Sequence, residues 1–195
     1  MNDLKLIVEN INSKKLDLAL KQCEDYSVKE NIYLINNFIG VIYSLKNNQE
    51  LAEDFFKRSH KLNEKFEDPL KNLYLINIRK KNYSEAINIA QKLSDLNSTN
   101  DLFVYQLAYA YELNNDNLLA IENYEKCIDL NGKNKLKALN NIGNIYLKNN
   151  KPKTSLKYFL EAKEIVKGDK IISNNILLNY IKLKNENKSD EYFEI

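Results

Sequence analysis

The chain has 195 residues and a mass of 22.9 kDa, with 29 Lys and Arg against 27 Asp and Glu, a formal net charge of +2. This near balance removes the strong basic field expected of a nucleic-acid or acidic-membrane binder. With a mean hydropathy of -0.54 and no apolar run near the roughly 18 residues a spanning helix needs, a transmembrane reading fails. Met1-Asn2-Asp3-Leu4-Lys5 lacks the basic and then apolar regions of a signal peptide, so a soluble cytoplasmic protein is expected.

Residues suited to covalent or metal chemistry are sparse. Cys23 and Cys127 lie 104 positions apart and outside any CxxC pair, which excludes a metal knuckle, a redox motif or a disulfide framework and makes both small buried side chains. His60 is the one histidine; it reads as a solvated helix residue, and a multi-histidine metal site is impossible. Gly40, Gly132, Gly143 and Gly168 stand too far apart for a phosphate-cradling loop. The carboxylate pairs Glu53-Asp54 and Glu67-Asp68 fall on polar helix or turn faces, away from the pocket that acid–base work requires. The expectation is a protein with no catalytic residues, no metal and no cofactor.

The periodicity is helical throughout, with Pro69 and Pro152 placed as first helical residues and no good strand candidate. In chain order, a small residue recurs at Ala19, Ala52, Ala86, Ala120, Ser155 and Ser189, separated by 33, 34, 34, 35 and 34 positions. Four residues after each, on the same helix face, stand Cys23, Phe56, Ala90, Tyr124, Phe159 and Phe193. An aliphatic position precedes each pair at Leu6, Ile39, Leu73, Leu107, Ile142 and Ile176. Within each unit a polar turn separates two helices: Lys46-Asn47-Asn48, Lys80-Lys81-Asn82, Asn114-Asn115-Asp116, Lys148-Asn149-Asn150 and Asn185-Glu186-Asn187. Such short turns make the helices antiparallel neighbours. Leu62, Leu96, Leu130 and Ile165 end the second helices, and the one extra residue lies in or near Asn131-Gly132-Lys133-Asn134-Lys135.

Ile39-Gly40, Tyr43, Ala52 and Phe56, then Leu107-Ala108, Tyr111, Ala120 and Tyr124, then Ile142-Gly143, Tyr146, Ser155 and Phe159 carry a pattern that resembles the tetratricopeptide repeat family. The resemblance implies an all-α, right-handed superhelical solenoid of antiparallel helix pairs. It has about five to six units in a single domain over 1–195: 1–32, 33–66, 67–100, 101–135, 136–169 and an incomplete 170–195. The unit 67–100 departs from the pattern, with Tyr74 at the small slot and Asn77 at the aromatic slot. Most of the 13 tyrosines read as packing residues with their hydroxyls at the solvent rim.

In such a solenoid the first helix of each unit lines the inner wall. The residue before the aliphatic slot is Phe38 and then Asn72, Gln106, Asn141 and Asn175, a row of carboxamides able to pair with the N–H and C=O of an extended peptide. Asn37, Tyr105, Tyr109, Asn140 and Asn144 are neighbouring candidates, with Tyr105 and Tyr109 one turn apart as an apolar shelf. The row resembles the asparagine ladders of the protein-glycosylating O-linked N-acetylglucosamine transferases and of importin-type solenoids. A chaperone-tail clamp fits poorly: Lys71 and Lys137 fall near suitable slots, but Leu75 and Asn141 occupy the others.

The last unit has a first helix near Lys170 to Lys184 and only Ser189 to Ile195 for a second, so this end is expected to fray, dimerise or continue into a further domain. Ser173-Asn174 with Leu178-Asn179-Tyr180 resembles the segment that joins repeats to catalytic domain in those glycosyltransferases. Two functions follow: a protein-binding scaffold holding an extended peptide in its groove, or the substrate-recruiting arm of a larger enzyme such as a protein glycosyltransferase. The expected partner is a protein or peptide, with neither nucleic acid nor membrane.

Overall fold

In a computed structural model, residues 2–26 and 31–193 are described, with the side chains of Asn2 and of 186–193 outside that description. The described residues form eleven helices. The chain divides into two compact units, Met1–Leu96 and Asn97–Ile195. The first holds α1 (Asn2–Asn12), α2 (Leu16–Glu24), α3 (Ile32–Leu45), α4 (Gln49–Leu62), α5 (Asp68–Arg79) and α6 (Tyr83–Leu96). The second holds α7 (Asp101–Leu113), α8 (Asn117–Asp129), α9 (Lys135–Lys148), α10 (Pro152–Ile165) and α11 (Lys170–Phe193). The architecture is all-α, and each odd-numbered helix from α1 to α9 packs against the even one that follows it.

The chain reverses between paired helices through one repeated device. Lys14, Asn47, Lys81, Asn115 and Asn150 all take positive φ, between 53° and 65°. In each case the next residue's N–H bonds back to a carbonyl five positions earlier: Lys15 to Asn10, Asn48 to Tyr43, Asn82 to Asn77, Asp116 to Tyr111 and Lys151 to Tyr146. This left-handed cap satisfies helix-end carbonyls within a three-residue turn. Asn tolerates the conformation better than most side chains, which explains its use there. Helix starts are marked as well: Asn48 and Asn100 accept from Leu51 and Leu102 N–H, and Asp169 accepts from both Ile171 and Ile172.

Packing within a pair follows from the small slots. A Cβ on Gly40 would sit 2.7 Å from the Phe56 ring, and one on Gly143 2.7 Å from the Phe159 ring, so each glycine admits an aromatic from the second helix. Ser155, a small residue on α10, donates to the Gly143 carbonyl at 2.7 Å. The sixteen-residue offset that joins these partners also joins Ala108 to Tyr124, all four residues of α7–α10 being buried. In α5 and α6 the sizes are exchanged: Tyr74 and Ala90 occupy the slots, 3% and 0% exposed. The combined volume is kept, so the departure at 67–100 is a large–small swap.

Three expectations need correction. No turn forms at Asn185-Glu186-Asn187, because α11 continues as helix to Phe193. Glu186 and Lys188 favour helix, and no Gly or Pro interrupts the run from Asn185 to Phe193. The small and aromatic slots expected at Ser189 and Phe193 lie outside the described side chains. Leu6 is 47% exposed while Ile7 is fully buried, so the inward stripe of α1 runs through Ile7 and Ile11, which pack with Ala19 and Cys23. Tyr124 is 0% exposed, so its hydroxyl lies inside the fold and not at the rim. Among the described residues no helix is long and apolar enough to cross a membrane.

Candidate functional site

In the second unit the first helices α7, α9 and α11 are tied side by side through their side chains. Helical spacing puts Tyr105, Tyr109 and Glu112 on one stripe of α7, Lys137, Asn141, Asn144 and Lys148 on one of α9, and Asn175, Leu178 and Lys182 on one of α11. Asn141 Nδ2 donates to the Tyr105 hydroxyl at 3.2 Å and to the Tyr124 hydroxyl at 2.7 Å. Asn175 Nδ2 donates to Asn140 Oδ1 at 3.0 Å. The carboxamides thus stitch one first helix to the next; Asn140 Oδ1 is taken by Asn175, and the side-chain carbonyl oxygens of Asn141 and Asn175 are the groups left for a ligand.

The Tyr105 and Tyr109 rings stack with centroids 6.3 Å apart and planes 6° apart, forming the shelf expected from their one-turn spacing. Tyr105, Gln106, Tyr109, Asn140, Asn141, Asn144 and Asn175 are all half-buried. In the first unit Asn72, also half-buried, reaches Asn37 on α3 at 3.5 Å, while Asn37 itself is only 5% exposed. Asn37 therefore supports Asn72 from below and offers little surface of its own.

Beneath the second unit's face runs a polar network that spacing alone did not reveal. The Tyr124 hydroxyl donates to Glu112 Oε2 at 2.7 Å while accepting from Asn141, and Lys148 Nζ stands 4.0 Å from Glu112 Oε1. Burial, reinforced by the Glu112 carboxylate, pushes the Tyr124 hydroxyl far above the ordinary phenol range, and burial also raises Tyr105. Both phenols therefore stay protonated and act as fixed hydrogen-bonding groups. Asp101 fixes the start of α9 in a similar way, its Oδ2 accepting from Asn134 N at 2.7 Å and from Asn134 Nδ2 at 3.1 Å. That contact holds the loop containing the repeat's one extra residue.

Other singled-out residues serve the fold. Lys71 lies 3.1 Å from both Glu67 and Asp68 on its own helix turn, which neutralises the cation a carboxylate clamp would need. Asn179, in the segment that resembles a repeat–catalytic junction, is fully buried and donates to the Asn175 carbonyl at 2.7 Å. Cys23 and Cys127 are buried free thiols, pushed by desolvation up to about 12 and about 11. Glu53 is only 19% exposed and bridges Lys57 and Lys80 at 2.6 Å each, so it is less solvated than a polar-face reading implies. His60 is likewise half-buried, its Nδ1 without a hydrogen-bond partner in a cavity of about 370 Å³ shared with Glu64, Lys92 and Asp95. Residues of both α5 and α6, among them Leu73 and Lys92, line the space around it, which the local sequence around His60 does not report. Among the described residues no three His, Cys, Asp or Glu side chains are grouped to hold a metal ion.

The tetratricopeptide repeat family matches residues 103–134 and 136–165, the two helix pairs that carry the stacked tyrosines and the Asn140–Asn144 stripe. No curated protein matches the chain. Among solved structures, a crystal structure of MamA protein aligns with a TM-score of 0.72 at 19% identity, covering 85% of this chain and 90% of that one. A MamA fragment from Desulfovibrio magneticus RS-1, residue 41 to its end, aligns with a TM-score of 0.71 at 16% identity over 87% and 98% of the two chains. A further MamA crystal structure gives 0.70 at 22% identity over 80% and 91%. At these identities the likeness is one of fold. The tetratricopeptide repeat match thus covers the helix pairs α7–α8 and α9–α10, and the other described helices from α1 to α6 follow the same paired arrangement.

Proposed function

We propose that this protein is a non-catalytic interaction scaffold that holds an extended peptide segment of a protein partner across α7, α9 and α11. The observation that carries the reading is the coincidence, on one half-buried face, of the stacked Tyr105–Tyr109 pair with Asn140, Asn141, Asn144 and Asn175. The side-chain carbonyl oxygens of Asn141 and Asn175 accept peptide N–H groups. Asn144, whose side chain makes no hydrogen bond among the described residues, offers both a donor and an acceptor. The tyrosine rings supply the apolar contact that gives such a site its affinity. Backbone pairing makes the site tolerant of sequence, and the tyrosine shelf selects for an aromatic or aliphatic side chain.

The test is a displayed peptide library selected on the full chain, followed by fluorescence anisotropy of the selected peptides against wild type and against a Tyr109→Ala/Asn144→Ala variant. Both positions are half-buried and outside the Tyr124 network, so the fold is expected to survive, which circular dichroism checks. The reading predicts binding weakened at least tenfold. Equal affinity in a folded variant would place the site elsewhere.

A further inference from the structure

Two helix pairs carry stacked rings twelve residues apart, Tyr43 with Phe55 and Tyr146 with Tyr158, each with centroids 5.7 Å apart. Repeat register puts Asn77 and Ile89 at the same two places on α5 and α6. Neither is a ring, and Asn77 turns its amide back to the Leu73 carbonyl at 2.9 Å. With Leu70 and Leu73 they line a cavity of about 290 Å³, the size at which ligand pockets begin. It shares His60, Glu64 and Lys92 with the 370 Å³ cavity already described. The place that two sister pairs fill with their own aromatics is, in this pair, open space over apolar side chains.

We propose that this cavity binds the side chain of a tyrosine from a protein partner, its ring resting on Leu70, Leu73 and Ile89 and its hydroxyl bonded to His60. The site does not depend on the peptide reading of the second unit. Burial and Lys92, opposed by Glu64, hold the imidazole below its ordinary range, so at neutral pH it is uncharged, with one nitrogen a donor and the other an acceptor. Its Nδ1 has no hydrogen-bond partner. The χ2 torsion has two broad wells, so a half-turn of the ring presents this nitrogen to a ligand in the cavity. The charged lining carries both signs: Lys57, itself paired with Glu53 at 2.6 Å, and Lys61 and Lys92 against Glu64 and Glu85. Such a border selects neither an anion nor a cation and suits the polar, uncharged backbone that flanks a tyrosine within a protein segment.

Nuclear magnetic resonance titration of the full chain with N-acetyl-tyrosinamide, which carries the side chain between two peptide bonds, tests this. His60 is the one histidine, so its ring protons report without overlap from another imidazole. Saturable shifts are expected at those protons and at amides of α4, α5 and α6, with N-acetyl-phenylalaninamide about fivefold weaker, the factor that one neutral hydrogen bond supplies. His60→Ala should erase that preference. An N77Y/I89F chain, given the rings of its sister pairs, should bind neither compound; if it fails to fold, the His60→Ala comparison decides alone. The proposal is overturned by no saturable shift in wild type up to about 20 mM, by shifts confined to α7, α9 and α11, by a preference for tyrosine that survives His60→Ala, or by a folded N77Y/I89F chain that binds as wild type does. Binding of p-cresol without N-acetyl-tyrosinamide also overturns it, since the cavity would then take free phenols only.

Discussion

Replacing Tyr124 by Phe removes one oxygen from a site with 0% exposure and takes two hydrogen bonds with it, one to Glu112 and one from Asn141, both 2.7 Å long. A hydrogen bond to a charged group contributes about 1.5–3 kcal/mol and a neutral one about 1 kcal/mol. Asn141 keeps the Tyr105 hydroxyl at 3.2 Å and Glu112 keeps Lys148 at 4.0 Å, so part of the loss is compensated. The net destabilisation should be about 2–3 kcal/mol, a fall in Tm of roughly 4–12 °C for a chain of this size. Thermal unfolding of the full chain followed by calorimetry reads it directly. Because Asn141 shares the hydroxyl, Tyr124→Phe and Asn141→Ala should be non-additive by about 1 kcal/mol in a double-mutant cycle. A loss below about 0.5 kcal/mol, or strict additivity, would refute the network as a source of stability.

Further outcomes follow from the fold. Ala90→Phe should clash with Tyr74 and destabilise by about 1–3 kcal/mol, and Tyr74→Gly should leave a cavity worth about 3–5 kcal/mol. The two together should recover most of the loss, and denaturant midpoints that simply add would contradict the exchanged-volume account. Lys81, at φ 58°, should become about 0.5–1 kcal/mol more favourable as Gly, read as a raised Tm, whereas Lys81→Val should lower it. Burial, helped by Lys92 and opposed by Glu64, holds the His60 imidazole below its ordinary range. The unfolded chain therefore binds the proton more readily, and stability should fall as pH drops below about 6.5 and level off under the folded value. His60→Gln should flatten that part of a Tm-against-pH curve, and an unchanged slope would count against the assignment.

Much of the fold was legible because it is written in short-range terms. The 33–35-residue recurrence, the polar turns that became left-handed caps at Asn47, Lys81, Asn115 and Asn150, and the Gly40 and Gly143 slots all depend on neighbours within about one turn or one helix pair. What escaped depends on a second element. The Tyr74–Ala90 exchange is visible only when two helices are added as one volume. The burial of His60 is set by residues of α5 and α6 that share its cavity. Of the site, the Tyr105–Tyr109 shelf followed from helical spacing, whereas the capture of Asn141 by Tyr105 and Tyr124 required the lateral placement of α7, α8 and α9. Sequence position alone assigned Asn37 to the surface, and its 5% exposure shows it to be a support for Asn72.

The claim that binding uses the first helices is tested most directly by amide hydrogen exchange on the full chain, free and saturated with a library-selected peptide. The account predicts slowed exchange concentrated in α7, α9 and α11, around Tyr105–Tyr109, Asn140–Asn144 and Asn175, with α8 and α10 unchanged. Protection confined to α8 and α10, with the first helices exchanging as in the free chain, would contradict it.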